Sequence, residues 1–236
     1  AAAPKPPAAP ALLEVRSLSY RYPGGREVLR DIDAALYPGQ LTLLTGENGS
    51  GKTTLSRLIV GLLPAPAARI YFQGEDVQRL PVYRRAEQIG YVFQQPEYMF
   101  TSSNVWEELI YCLHGGISER QRAALTAEQQ ERAAMLLEVA GLSDRRSMSP
   151  YLLSYGEKRL LSIICQLILP RALYILDEPT SGMDYAGIDR VVHLCRIVMK
   201  EGAAVLMITH DPELMSPYAN AFIHLRNGKS DCASYE

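Results

Sequence analysis

Long apolar segments are missing from this chain of 236 residues. The longest apolar run, LLSIICQLIL at residues 160–169, falls far short of the ~20 residues that a helix needs to cross a bilayer. The first residues also lack the charged segment and apolar core of a secretory signal. We therefore expect a chain that does not itself cross a membrane, although it can still dock on a protein that does.

A basic excess and closely spaced cysteine pairs are lacking as well. The chain has 24 lysines and arginines against 26 acidic residues, a formal net charge of −2, which argues against nucleic acid as its main partner. The four cysteines, at positions 112, 165, 195 and 232, form no CxxC pair and show no spacing typical of a zinc site. We interpret them as reduced thiols of a cytosolic protein.

Buried-strand patterns alternate with helical ones along most of the chain. Strands are predicted at 41–46, 88–94, 172–178 and 203–210, and helices between them at 52–63 and at about 185–200. This order predicts an α/β fold with a mainly parallel sheet. Near the end, AFIHLRNGKS predicts a strand followed by a turn at Asn227 and Gly228.

A helical block interrupts the alternation and predicts an inserted subdomain. We therefore predict a core that begins at 12–95, a helical subdomain at 96–169 and the rest of the core at 170–230. The Ala/Pro-rich start, residues 1–11, is interpreted as a linker or disordered segment, such as one that joins an upstream domain. Residues 231–236 form a tail.

The stretch GENGSGKT at residues 46–53 matches the phosphate-binding pattern GxxxxGK[ST] between a strand and a helix. Its glycines allow backbone N–H groups to turn toward phosphate oxygens, and the following helix adds its positive end. Lys52 would reach the β- and γ-phosphates, and the Thr53 hydroxyl would bind Mg²⁺. The alternative is a glycine-rich turn with a lysine placed there by chance, which the flanking strand and helix disfavour.

Two carboxylates end the predicted strand LYILDEP at residues 173–179. Asp177 can hold Mg²⁺ through water beside the phosphate loop, and Glu178 can polarise the attacking water. Consecutive strand residues point to opposite faces, so the pair suits two different roles. The alternative, two carboxylates that only cap a strand at a solvated turn, loses weight because the phosphate loop lies upstream.

Several motifs occur in a recognisable order, namely YRYPGG, GENGSGKTT, YVFQQPE, LSYGEKR, LYILDEP, SGMD and MITHD. They resemble the A-loop, Walker A, Q-loop, signature, Walker B, D-loop and switch strand of the ATP-binding subunits of ABC transporters. The resemblance covers residues 12–230. It implies a P-loop NTPase (RecA-like) core with an N-terminal antiparallel β region, and hydrolysis of ATP with Mg²⁺.

The resemblance also implies roles for residues outside the phosphate loop. Tyr22 would stack on adenine, with Tyr20 as the rival position and a plain strand tyrosine as the alternative. Gln94 would complete the Mg²⁺ shell and touch the attacking water, unless it is only a polar loop residue. His210 would donate to the γ-phosphate or hold Glu178 in place.

The expected site residues fall into three groups. The catalytic residues are Glu178, His210, Gln94 and Lys52, and the metal ligands are Thr53, Gln94 and Asp177. The residues that contact nucleotide are Tyr22, Gly46, Asn48, Gly49, Ser50, Gly51, Lys52, Thr53, Thr54 and Gln94, with Ser154, Gly156 and Glu157 acting across an interface. The remaining histidines, His114, His193 and His224, are interpreted as structural or surface residues.

The signature LSYGEKR departs from the family pattern at two positions. Tyr155 replaces the first glycine, and Glu157 replaces the more usual glutamine. In this family two ATP-binding domains pack head to tail, so each ATP lies between one P-loop and the other domain's signature. The resemblance therefore implies that Ser154 and Gly156 meet the γ-phosphate of the partner's ATP, with Asp184 along the same interface.

The segment VFQQPEYMFTSSNVWEEL, residues 92–109, resembles the ATPases of energy-coupling-factor importers for vitamins and metal ions. That group implies a second ATP-binding subunit, identical, different or fused in tandem. It also implies a transmembrane coupling protein, a separate substrate-capture membrane protein and a place at the cytoplasmic face of the cell membrane. The transported substrate is not encoded in this chain.

Three other classes remain open at this point. An ordinary ABC importer subunit is the nearest alternative. A soluble ABC ATPase acting on DNA or ribosomes is disfavoured, because no long coiled-coil insertion or strongly basic linker is present. A P-loop kinase would lack LSYGEKR and would not need His210.

Overall fold

The computed structural model describes residues 9–95, 99–115 and 124–231. Within them the chain divides into two compact units. We call residues 9–91, 171–178 and 199–231 the sheet unit. The helical unit comprises the described residues of 92–170 and 179–198. Cys232, most of the predicted linker and the last residues of the tail lie outside the described ranges.

The sheet unit contains an antiparallel sheet of four strands in the order β2-β1-β4-β5. These strands are β1 (Leu13–Arg21), β2 (Glu27–Leu36), β4 (Ile70–Phe72) and β5 (Glu75–Asp76). Buried and solvent-facing residues largely alternate along β1, as expected for a strand that packs one face on the core. The predicted N-terminal antiparallel region is confirmed.

The second sheet has six strands in the order β10-β9-β3-β8-β7-β6. They are β3 (Leu41–Gly46), β6 (Ile89–Val92), β7 (Leu173–Asp177), β8 (Ala204–Ile208), β9 (Ala221–Arg226) and β10 (Lys229–Asp231). Strand β3 pairs in parallel with β8 and β9, β7 pairs in parallel with β8, and β10 is antiparallel. Strands β3, β7 and β8 are buried along almost their whole length, as expected for parallel strands with both faces covered.

Helices α1 (Lys52–Val60), α2 (Val82–Gln88) and the short α7 (Pro212–Met215) complete the sheet unit. The first was predicted to reach residue 63, but it ends earlier because Gly61 adopts a left-handed conformation and caps it. Leu55, Leu58 and Ile59 of α1 pack into one apolar core with residues of both sheets.

The helical unit holds α3 (Val105–Leu113), α4 (Ala127–Val139), α5 (Tyr155–Leu167) and most of α6 (Tyr185–Lys200). Its helices begin with strong local signals, since Asn104 caps α3 and Thr126 forms a capping box with Gln129 at α4. The Arg132 guanidinium on α4 donates to the Leu167 carbonyl at the end of α5, 2.8 Å away. A helical block in this part of the sequence is therefore observed.

Three of the four cysteines lie in the described ranges, and all three are free thiols. Cys165 and Cys195 are buried, and burial raises the pKa of the Cys195 thiol to about 12. Across the same ranges, each helix is too short or too polar to span a bilayer.

Two hairpins provide a matched pair of tight turns. Gln73–Gly74 joins β4 to β5 and Asn227–Gly228 joins β9 to β10, with positive φ at all four residues. This is the pattern of type I′ turns, as predicted for Asn227 and Gly228. The surroundings differ, because a Cβ at Gly74 would meet open space whereas one at Gly228 would overlap the carbonyl oxygen of Val28.

We expect Gly228→Ala to destabilise the protein more than Gly74→Ala. Both variants carry the left-handed strain of about 1 kcal/mol, and only Gly228→Ala adds a steric clash with β2 of about 1–3 kcal/mol. The free energy of unfolding in urea measures the difference. Equal losses in the two variants would contradict the close approach of this turn to β2.

Candidate functional site

Three parallel strands of the sheet unit end at one edge of the six-stranded sheet. In their register, Leu44 of β3 pairs with Ile208 of β8, which also pairs with Asp177 of β7. The loops that follow these strands therefore start side by side at this edge, which is the carboxyl-terminal end of the parallel strands. They begin at Gly46, Glu178 and Thr209. Residues that are far apart in sequence meet there because parallel strands share the direction of their carboxyl ends.

The loop after β3 needs glycine at specific points. Gly46 and Gly51 have φ values of 141° and 110°, and Gly49 has φ 80°. A Cβ at Gly46 would overlap the Leu225 carbonyl, and one at Gly51 would lie 2.5 Å from the Leu29 side chain. The glycines thus allow the loop to wrap closely against the sheet unit.

This loop forms a cradle suited to an anion. Helix α1 begins after Gly51 without a side-chain cap or an acidic residue in its first turn, so its first N–H groups lack intrahelical partners. The buried Ser50 Oγ has no hydrogen-bond partner within the described residues. Lys52 Nζ is held by the carbonyl oxygens of Gly46, at 2.6 Å, and Glu47, at 3.1 Å. Unused donors beside a lysine fit phosphate.

The two strand-end carboxylates are both buried, but their local contacts differ. Asp177 is only 5% exposed, and burial raises its pKa although a hydrogen bond from the Tyr91 hydroxyl opposes the shift. Glu178 has a left-handed backbone with φ 53°, and its N–H donates to the Ile208 carbonyl. Such a conformation costs about 1–3 kcal/mol and is typical of functional sites.

His210 lies against Glu178. Its Nδ1 is 2.7 Å from Glu178 Oε2, and its side chain is 59% exposed whereas that of Glu178 is 10% exposed. The contact joins the loops that follow β8 and β7. The geometry therefore allows His210 to orient the carboxylate while its ring reaches solvent or a ligand.

Two tyrosines compete for the predicted stacking role. Their rings form an edge-to-face pair with centroids 5.3 Å apart. Tyr20 is buried in the core, whereas Tyr22 is half-buried and its hydroxyl lies 3.2 Å from Thr54 Oγ1 on α1. Only Tyr22 combines an accessible ring with a position beside the phosphate cradle, which favours it over Tyr20.

Other predicted residues fall in the helical unit. Gln94 is exposed, two residues after β6, and its predicted contacts with metal and water stay a prediction. Asp184 is also exposed, and its Oδ1 accepts a hydrogen bond from Gly187 N–H at 2.8 Å near the start of α6.

The other histidines occupy ordinary positions. His114 bonds to the Ile110 carbonyl of its own helix, His193 is exposed, and His224 Nδ1 lies 2.9 Å from Thr45 Oγ1. All three are consistent with their interpretation as structural or surface residues.

The signature residues open helix α5. Ser154 Oγ accepts the Glu157 N–H at 3.3 Å, and Glu157 Oε2 accepts the Ser154 N–H at 2.8 Å, which makes a capping box. The hydrogen bond with Ser154 is the main cause that lowers the Glu157 pKa, with Arg145 adding to it. Glu157 therefore stabilises the helix start, and the hydroxyl hydrogen of Ser154 is not consumed by the box.

Tyr155 covers a buried arginine on the next turn of α5. The Arg159 guanidinium donates to the Tyr155 hydroxyl at 2.5 Å and lies 5.2 Å from the ring centroid. Arg159 is 0% exposed, and its Nε and Nη1 have no partner in the described ranges. The Tyr155 ring also packs near Gly182, since a Cβ there would come within 3.4 Å of it. Tyr155 thus contacts Arg159 and lies near Gly182, while the residue itself is 45% exposed.

We expect Tyr155→Phe to lower stability by about 1–3 kcal/mol, because it removes the acceptor of a buried charged donor. In an Arg159→Met background the same change should cost much less. A double-mutant cycle of urea unfolding measures the coupling. Equal costs in both backgrounds would show that the hydroxyl and the guanidinium are not coupled.

Sequence reasoning missed two residues of these sites. Tyr91 lies in the predicted strand 88–94, and its hydroxyl is 3.1 Å from Asp177 Oδ2; its pKa is raised, mainly by burial and next by the charge of Asp177. A polar aromatic residue at the end of an apolar strand was the available signal. For Arg159, the signal was its i, i+4 spacing from Tyr155 on one helix face.

Comparison with known proteins gives the family. The family model described as ABC transporter matches residues 29–181. A Vibrio parahaemolyticus protein, provisionally named an ABC transporter ATP-binding protein, is 34% identical over 229 residues, which cover 95% of this chain and 38% of that protein. YkoD of Bacillus subtilis, provisionally named an HMP/thiamine import ATP-binding protein, is 34% identical over 94% of this chain and 39% of its own length.

A solved structure also matches. The structure of cbiO1 from Clostridium perfringens, described as part of the ABC transporter complex cbiONQ, superposes with a TM-score of 0.82 at 26% identity, covering 95% of this chain and 88% of that one. The chain therefore belongs to the ABC transporter family. It spans less than half the length of the two relatives named above.

Proposed function

We propose that this chain binds ATP with Mg²⁺ at the strand-end edge of the sheet unit and hydrolyses it to power a membrane importer of the energy-coupling-factor type. The observation that carries the proposal is the convergence of an uncapped phosphate cradle with the Glu178–His210 pair. A donor-rich cradle binds the triphosphate, and a carboxylate oriented by a histidine activates water.

Each residue of the edge has a distinct task in this proposal. Gly46, Asn48, Gly49, Ser50, Gly51 and Thr54 line the phosphates, and Tyr22 stacks on adenine. Lys52 leaves its carbonyl partners to neutralise the β- and γ-phosphates. Thr53, Asp177 and Gln94 supply the oxygen ligands that Mg²⁺ prefers, and the ion would offset the charge of the phosphates. Glu178 orients the attacking water, held by His210.

The signature is proposed to act on the ATP of a second ATP-binding domain. At the start of α5, Ser154 retains a hydroxyl hydrogen to donate, and a Cβ at Gly156 would meet open space. These features suit contact with a phosphate brought by another domain. Closure of the pair would depend on the γ-phosphate, and hydrolysis would release it.

We expect Glu178→Gln to retain ATP binding, to reduce turnover by at least 100-fold, and to accumulate a closed dimer with ATP. The amide keeps the shape of the side chain but cannot accept a proton from water. Size-exclusion chromatography and phosphate release measure the two effects. Glu75→Gln, an exposed residue of the same unit, is the control. Full activity of Glu178→Gln would overturn the mechanism, and the isolated wild-type chain is expected to be a weak ATPase.

The importer assignment is supported by the names of two similar proteins and by the Q-loop segment. YkoD is named for HMP/thiamine import, and cbiO1 is described as part of a transporter complex. We propose that this chain works at the cytoplasmic face of the membrane with three kinds of partner. These are a second ATP-binding domain, a transmembrane coupling protein and a substrate-capture membrane protein; no nucleic acid is expected.

We expect affinity purification from detergent-solubilised native membranes to recover two different membrane proteins with this chain. One should be a coupling protein and the other a small capture protein. Recovery of a single type of substrate-translocating membrane protein would favour an ordinary ABC importer. Recovery of ribosomes or DNA without membrane proteins would overturn the transport proposal.

A further inference from the structure

Two buried hydroxyl groups lie between α1, β6 and β7 in the sheet unit. Ser56 Oγ on α1 lies 3.0 Å from the Thr53 carbonyl oxygen and 3.1 Å from the Tyr91 hydroxyl on β6, and its single hydrogen is available to either acceptor. The Tyr91 hydroxyl donates in turn to Asp177 Oδ2 on β7 at 3.1 Å. Ser56, Tyr91 and Asp177 are 0%, 8% and 5% exposed, so water competes little for these bonds.

These hydroxyls lie beside two residues that the proposed function assigns to Mg²⁺. Thr53 lies in the first turn of α1, and Asp177 is the last residue of β7. Tyr91 donates to Asp177 directly and contacts α1 at Ser56, three residues after Thr53.

The bond to Tyr91 also restricts the carboxylate of Asp177. It engages Oδ2, which restrains the rotation of the side chain, and Oδ1 takes no part in this bond. Mg²⁺ demands nearly ideal octahedral geometry at about 2.0–2.1 Å, whereas Ca²⁺ accepts looser and longer arrangements. A carboxylate whose rotation is restrained therefore favours the smaller ion.

We propose that Tyr91 is a positioning residue that sets the affinity and the Mg²⁺ selectivity of the nucleotide site. It contacts neither substrate nor metal and acts through Asp177 and Ser56. The inference rests on the proposed function for the assignment of Thr53 and Asp177 to the metal. It goes beyond the proposed function, because it names a residue outside the metal ligands that controls metal binding.

The test measures metal binding directly, without turnover. Mn²⁺ bound to the protein with a non-hydrolysable ATP analogue is followed by electron paramagnetic resonance, and Mg²⁺ or Ca²⁺ is then added to displace it. We expect Tyr91→Phe to weaken Mn²⁺ and Mg²⁺ binding about tenfold and to reduce the preference for Mg²⁺ over Ca²⁺. Affinity for the analogue in EDTA should stay unchanged, because the phosphate cradle is intact.

Two further variants make the result specific. Tyr174→Phe removes another buried hydroxyl on β7, one that accepts the Arg171 N–H, and it should leave metal binding unchanged. Ser56→Ala removes the contact of Tyr91 with α1 but keeps the bond to Asp177, so it should give a smaller loss than Tyr91→Phe.

The outcomes separate the inference from the proposed function. If wild-type protein with the analogue retains no Mn²⁺, the metal site itself is wrong. If wild type retains Mn²⁺ and Tyr91→Phe retains it equally well with unchanged selectivity, only the role of Tyr91 is overturned. An equal loss of analogue affinity in EDTA would show a general structural effect and would also overturn it.

Discussion

The parallel register of β3, β8 and β7 is the constraint on which the site depends. It aligns Leu44, Ile208 and Asp177 across the sheet, so the loops that follow these strands emerge at one edge. Parallel pairing requires long crossover connections, which is why the groups that meet there are spread over most of the chain. A slip of one residue would reverse the facing of a whole strand and separate Asp177 from Tyr91.

Several features that cost folding free energy lie at this edge of the sheet. Asp177 is buried against its preference for ionisation, Glu178 has a left-handed backbone, and Ser50 Oγ has no partner within the described chain. The apolar core shared by α1 and the two sheets offsets these costs. Proteins generally place such inconsistencies where they bind or react, and here they coincide with the phosphate cradle.

In the helical unit, the two residues that depart from the family's signature motif make contacts that stabilise the structure. A glycine beside Ser154 would leave the Arg159 guanidinium uncovered, whereas Tyr155 stacks on it and accepts its hydrogen bond. Glu157 makes the capping box in place of the usual glutamine. The two departures thus stabilise the beginning of α5, and neither removes the donor hydrogen of Ser154.

The sequence by itself determined the features that depend on local chemistry. The apolar strands, the glycine-rich loop before α1 and the Asn227–Gly228 turn follow from periodicity and allowed backbone angles, and the predicted α/β fold is confirmed. Only the tertiary structure decided which side chains meet. The pairing of His210 with Glu178, the accessible ring of Tyr22 and the bond from Tyr91 to Asp177 depend on strand order and register, which arise from contacts distant in sequence.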